Sequence, residues 1–121
     1  QIGAVDFISV YAADFGLLDE NLHGYSNYRF SEYPARKRLV SSALKELLLD
    51  GNIRFQPAPT GYRYFITDAG KSICQKLTSN YADEYRIAVQ TVVKSFDNAN
   101  AELMLRGINR LTIQSLEGGQ A

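Results

Sequence analysis

Seven side chains between residues 36 and 63 are of types that can hold phosphate: Arg36, Lys37, Arg38, Ser41, Lys45, Arg54 and Arg63. Guanidinium and ammonium groups pair with phosphate oxygens and serine hydroxyls hydrogen-bond to them, so such a set binds a nucleic-acid backbone without reading bases. Lys37, Ser41 and Lys45 recur at i, i+4 and i+8, one face of a helix, with Arg38 and Ser42 beside them. Asn and Gln, which suit adenine edges, are absent from that face. The stretch Pro57-Ala58-Pro59-Thr60-Gly61 carries no Lys or Arg. The expected chemistry is contact with the backbone of double-stranded DNA rather than recognition of an operator. Arg36-Lys37-Arg38 also lie near the start of a helix, where the macrodipole disfavours each exposed cation by about 0.3–1 kcal/mol. Two readings stay open for them: a functional cluster, or a solvated basic turn neutralised by Glu32 or the acidic first third.

Residues 31–70 must position these groups. Leu39, Val40, Ala43, Leu44, Leu47 and Leu48 fall on one face of a 3.6-residue period, predicting a central helix over 31–50. Ser31 is its expected cap, Pro34 suits its first turn, and Gly51 suits a left-handed exit. Ile53 to Gln56 and Tyr62 to Thr67 alternate around a Pro/Gly breaker, which predicts a hairpin over 53–67. Thr67 is the expected cap of a helix over 68–77. A helix, a hairpin wing and a further helix resemble a winged helix. The expected class is therefore α+β and mostly helical, a three-helix core with a β-hairpin wing plus two C-terminal helices. The winged-helix domain is expected over 1–77, a helical extension over 78–117 and a disordered tail over 118–121.

Ile2, Val5, Ile8, Ala12 and Phe15 form one stripe, predicting a well-buried first helix over 2–15 that Gly16 ends, with Asp6 and Asp14 outside the stripe's centre. Residues 16–30 have little periodicity. They read as a loop with a short helix and an extended piece, Tyr28-Arg29-Phe30, that would join the hairpin as a third strand. That slot holds a compact second helix in an ordinary helix-turn-helix, so its irregularity argues against standard groove docking. Amphipathic helices follow over 79–96 and 100–117, with a turn at Phe96 to Asn100. Beyond a minimal wing, such helices either pack on the core or hold a partner. Tyr25, Tyr28, Leu103, Met104, Ile108 and Leu111 are the candidate partner contacts.

Enzyme chemistry finds little support. The chain has one His and one Cys, too few for a metal centre built on those ligands. His23 reads as a loop-fixing hydrogen bonder, and Cys74 as a buried structural thiol. Asp14-Phe15-Gly16 spells the kinase metal-binding triplet without its companion motifs, and is read as chance. No phosphate loop, dinucleotide glycine pattern or nucleophile elbow is present. No cofactor, metal, catalytic residue or small-molecule substrate is expected.

Hydrophobic content of 45% and charge of 21% over 121 residues suit one soluble globular domain. Net charge is zero, which excludes a polycation, but the distribution is uneven. Residues 1–35 carry five carboxylates against Arg29, whereas residues 36–77 carry eight Lys/Arg against Glu46, Asp50 and Asp68. A single cysteine and the lack of a long apolar run favour a cytoplasmic protein off the membrane. The first residue is Gln, so a preceding segment is expected.

Val5-Asp6-Phe7, Asp14-Phe15-Gly16, Asn21-Leu22-His23-Gly24, Arg36, Arg38-Leu39-Val40, Gly61-Tyr62-Arg63-Tyr64 and Leu77-Thr78-Ser79-Asn80-Tyr81-Ala82 together resemble middle components of bacterial three-component ABC-ATPase systems, the Lamassu-type defence operons. The resemblance covers roughly residues 5–96. It implies a non-catalytic adaptor bridging an SMC/Rad50-like ABC ATPase and an effector nuclease. The alternative is a free-standing winged-helix transcription regulator, dimerised through its terminal helices.

Overall fold

The computed structural model describes residues 2–26, 29–59 and 61–118. Helix α1 spans Ile2–Val10 and is the hub: α2 (Tyr33–Leu49), α4 (Asn80–Ser95) and α5 (Ala101–Gly118) all pack against it. Phe7, Ile8, Ser9 and Val10 are completely buried, so α1 is enclosed on all sides rather than half-exposed. Val92 of α4, Met104 and Ile108 of α5 and Phe30 close the core around it. Phe7 meets Tyr11 and Tyr33 edge-on, with ring centroids 5.2 and 5.3 Å apart. The class is α+β and mostly helical.

The first helix stops earlier than its hydrophobic period predicts, because a side chain competes for its backbone. Asn21 Oδ1 accepts the Ala13 N–H at 2.8 Å, and the Val10 carbonyl accepts the His23 N–H at 3.1 Å. Ala12–Phe15 consequently wind into a single 3-10 turn, which Gly16 closes at φ 70° as expected. Among the described residues the third strand expected at Tyr28-Arg29-Phe30 does not form. Arg29–Glu32 form another 3-10 turn leading straight into α2, and among the described residues the sheet has two strands. Tyr28 lies outside the described residues.

Helix α2 also departs from expectation. Its cap position is Glu32, not Ser31, and Glu32 makes no side-chain cap bond; Pro34 does sit in the first turn. No residue of α2 is fully buried, and the leucine stripe is only partly covered, with Leu39 61% and Leu47 36% exposed. Beyond Gly51, at φ 75°, β1 (Ile53–Ala58) and β2 (Gly61–Ile66) pair antiparallel from Ile53↔Ile66 to Ala58↔Gly61. Thr67 then does two jobs. Its Oγ1 accepts the Gly70 N–H at 3.1 Å, capping α3 (Asp68–Gln75), and donates to the Gly51 carbonyl at 2.7 Å, tying that cap to the end of α2. Gly70 is required there: a Cβ would stand 2.1 Å from the Asn52 carbonyl oxygen. Helix α3 buries little besides Gly70, which leaves Cys74 exposed rather than in a core.

Ser79 Oγ caps α4 by accepting the Ala82 N–H at 3.1 Å, and Asn100 Oδ1 caps α5 through the Leu103 N–H at 3.1 Å. Between them Asp97, Asn98 and Ala99 stand consecutively in the left-handed region, at φ 51°, 59° and 60°. This reversal brings α5 back onto α1. Helix α5 runs on to Gly118, and residues 119–121 lie outside the described residues.

Candidate functional site

The uneven charge resolves into two internal clusters. Asp6 of α1, its side chain only 6% exposed, accepts two bonds from the Arg36 guanidinium, from Nε at 2.9 Å and Nη2 at 2.8 Å. Tyr85 Oη of α4 donates to the same carboxylate at 2.6 Å. Charge-assisted bonds from two helices thus converge on a third. Arg36 is held above its ordinary pKa, first by the hydrogen bond to Asp6, and Tyr85 is raised, first by burial and then by that same carboxylate. Arg36 is therefore a bolt between helices, its Nε and Nη2 committed to Asp6 rather than offered to phosphate.

Asp14 organises the irregular segment in the same way. Arg29 donates to it from Nε at 2.7 Å and Nη2 at 2.9 Å, and Asn21 Nδ2 donates at 2.8 Å. The Arg29 guanidinium also lies over the Phe30 ring, 4.7 Å from its centroid. The kinase-like triplet is thus half of a loop-fixing ion pair. Tyr11 Oη donates to Glu32 at 2.5 Å, and burial, followed by this bond, pushes its pKa up to about 12. His23 shares a 2.7 Å hydrogen bond between Nε2 and Tyr81 Oη, matching the loop-fixing role expected of it. Its pKa is lowered, burial being the largest cause and Arg36 the next.

The remaining cations stay outside. Lys37, Arg38, Ser41, Ser42 and Lys45 line one shallow concavity along the exposed side of α2, so the predicted face forms as a unit. The stem of Lys37 packs on Gly3, where an added Cβ would meet Lys37 Cγ at 3.2 Å; that contact sets the side chain's starting direction. Arg54 and Arg63 belong elsewhere. Arg54 stands opposite Phe65, and Arg63 opposite Gln56, on one face of the hairpin. The seven candidates thus divide into one structural arginine, a helix face and a hairpin face.

The partner candidates divide too. Met104 and Ile108 are 0% and 2% exposed in the core, and Leu111 packs against that core, so these three hold α5 to the body and offer little to a partner. Leu103 points outward at 43% exposure, and Tyr25 is exposed with its hydroxyl on Glu20 at 3.2 Å. Residues outside that set, some of them on the wing whose hydrophobic face was also expected to hold protein, offer more apolar surface. Leu49 at the end of α2, Phe65 of β2 and Ile73 and Leu77 around α3 are 86%, 48%, 45% and 51% exposed. The available signal was the short α3 and a hairpin with aromatic residues on both faces, more apolar surface than two strands and two turns of helix can cover.

No helix among the described residues is long and apolar enough to cross a membrane. No curated protein and no solved structure matches the chain. A family model does match, over residues 1–118, and by that match the chain belongs to the family described as ABC-three component (ABC-3C) system Middle Component 2.

Proposed function

We propose that this chain is a non-catalytic adaptor of a Lamassu-type defence complex, joining an SMC/Rad50-like ABC ATPase to an effector nuclease, and that α1, α2 and the hairpin act as a winged helix. Membership of a middle-component family supports a working life among other subunits. The observation that carries the reading is the contrast between two halves of the molecule. Around α1 a closed core holds Phe7, Ile8, Val92, Met104 and Ile108; the end of α2, the hairpin and α3 add no large side chain to it, and Leu49, Phe65, Ile73 and Leu77 stay exposed, as do Ile87 on α4 and Ile113 on α5. Exposed large apolar side chains on neighbouring elements are what a protein-binding face draws on. In this reading the Lys37–Lys45 face of α2 lies along the DNA path and touches phosphates only.

The test is co-expression with an SMC/Rad50-like ATPase and an effector nuclease of the same three-component system. An adaptor co-elutes with both and binds duplex DNA feebly when isolated. A stable symmetric pair of this chain alone, bound tightly to one palindrome with neither subunit present, overturns the reading in favour of a transcription regulator. The basic α2 face is the feature that favours that rival.

A further inference from the structure

The register of the hairpin gives every backbone group in it a direction. The Thr67 N–H donates to the Asn52 carbonyl at 3.0 Å, just below Ile53↔Ile66. Bonded and non-bonded pairs alternate in an antiparallel ladder. Counting from Asn52 and Thr67, the bonded pairs are Arg54↔Phe65, Gln56↔Arg63 and Ala58↔Gly61. The pairs between them turn their backbone groups outward: Ile53, Phe55 and Pro57 on β1, and Tyr62, Tyr64 and Ile66 on β2. This parity agrees with Pro57, which has no N–H to give a ladder.

The two outer edges are consequently unequal. Pro57 interrupts that of β1, the usual protection against unwanted pairing. Strand β2 contains no proline, and among the described residues no third strand lies beside it. Helix α3 meets the hairpin at its base, where Gly70 backs onto Asn52 and Ile66. Farther along, Arg63 is exposed, Tyr64 is 37% exposed and Phe65 48%.

We propose that the outer edge of β2 receives an extended protein segment in which acidic and apolar residues alternate. Residues directly opposite one another share a face of the sheet. One face therefore carries Arg54, Gln56, Arg63 and Phe65, and the other Ile53, Phe55, Tyr64 and Ile66. Between Asp50 and Asp68 the chain has those two arginines and no carboxylate. A strand added to β2 continues the alternation, setting a carboxylate beside Arg63 and an apolar side chain beside Tyr64. Main-chain bonds supply affinity and the alternating side chains supply selectivity. A second copy's β2 would bring another arginine and no acid, so charge favours a different chain. The site rests on the adaptor reading only in taking that chain to be a partner subunit.

The full chain is titrated with a peptide of about eight residues alternating Glu and Val, against a Lys-Val peptide of equal length, while amide exchange is followed. Binding of the Glu-Val peptide alone is expected, with protection rising at Tyr62 and Tyr64. Tyr64→Pro removes an outward N–H without touching a ladder bond, and weakens that binding by about tenfold. Arg54→Glu with Arg63→Glu transfers the preference to the Lys-Val peptide, and its hairpin amide shifts report whether the wing is still formed. Equal binding of both peptides, protection confined to α3 or β1, or self-association that Tyr64→Pro abolishes, each overturns the proposal. In co-expression, an ATPase–effector complex that accepts wild type and Tyr64→Pro chains equally well rejects the β2 edge while keeping the adaptor. A wild-type chain that joins neither subunit rejects the adaptor, whatever the peptides show.

Discussion

Asp6 and Arg36 face each other fork to fork, with both guanidinium–carboxylate distances under 3 Å, and Tyr85 closes the same carboxylate from a third helix. Breaking such a buried pair from one side strands a charge, which costs about 3–5 kcal/mol. With Arg36 21% exposed at its side chain, Arg36→Ala is expected near the lower end, about 3 kcal/mol, read as a shift in the urea midpoint at constant slope. Replacing all three polar groups together, Asp6→Leu with Arg36→Met and Tyr85→Phe, is expected to recover most of the loss. A loss no smaller in the triple variant would show that the network contributes more than charge compensation.

The proposed contact with nucleic acid is best probed away from Arg36. Lys37→Ala, Arg38→Ala and Lys45→Ala are each expected to weaken binding of duplex DNA about equally across sequences. Each should reduce the log–log salt slope by about 0.9. Arg38→Ala and Lys45→Ala should leave the melting temperature within about 2 °C, because neither side chain is buried. A slope unchanged in all three variants places any DNA contact elsewhere.

Stability should fall in alkali. Tyr11 and Tyr85 both hold their protons more tightly folded than unfolded. Their contribution is complete below the ordinary tyrosine pKa of about 10 and is lost as pH climbs through the folded values, which for Tyr11 means toward about 12. His23 works at the other end: its lowered value makes the folded state resist protonation, so stability declines as pH drops below about 6.5. Melting curves between about pH 9 and about pH 11 should show a steep loss that Tyr11→Phe and Tyr85→Phe flatten, those limits lying roughly one unit either side of the unfolded value.

The left-handed turn gives opposing expectations at neighbouring positions. Asp97 is exposed at φ 51°, and Asp97→Gly is expected to stabilise by up to about 1 kcal/mol by removing backbone strain. Ala99→Gly relieves similar strain at φ 60°, but it also removes a methyl group buried in the core, worth about 0.8 kcal/mol, so its net effect should be near zero. Thermal melts of the two variants distinguish them.

Gly70→Ala carries the reverse sign. Helix propensity favours it by about 1 kcal/mol, yet the new methyl would collide with the Asn52 carbonyl, a backbone atom that cannot swing aside. A net loss of about 1–3 kcal/mol is expected, with faster amide exchange concentrated in α3.

Local order was legible in the chain because neighbours in sequence decide it. The helices over 80–95 and 101–118, the hairpin, the Thr67 cap and the left-handed Gly51 all follow from periodicity and turn chemistry within a few residues. Where a distant side chain intervened, that reading failed. Asn21 shortened the first helix, and Arg29 found Asp14 instead of a strand partner. The basic run at 36–38 looked uniform in sequence, but only the helix packing decided that Arg36 turns inward to Asp6 while Lys37 and Arg38 stay outside. The same packing turned Met104 and Ile108 from candidate contacts into core, and left Phe65 and Leu77 open. Periodicity names the face of a helix that avoids water; which neighbour covers that face, and whether any does, depends on contacts between segments far apart along the chain.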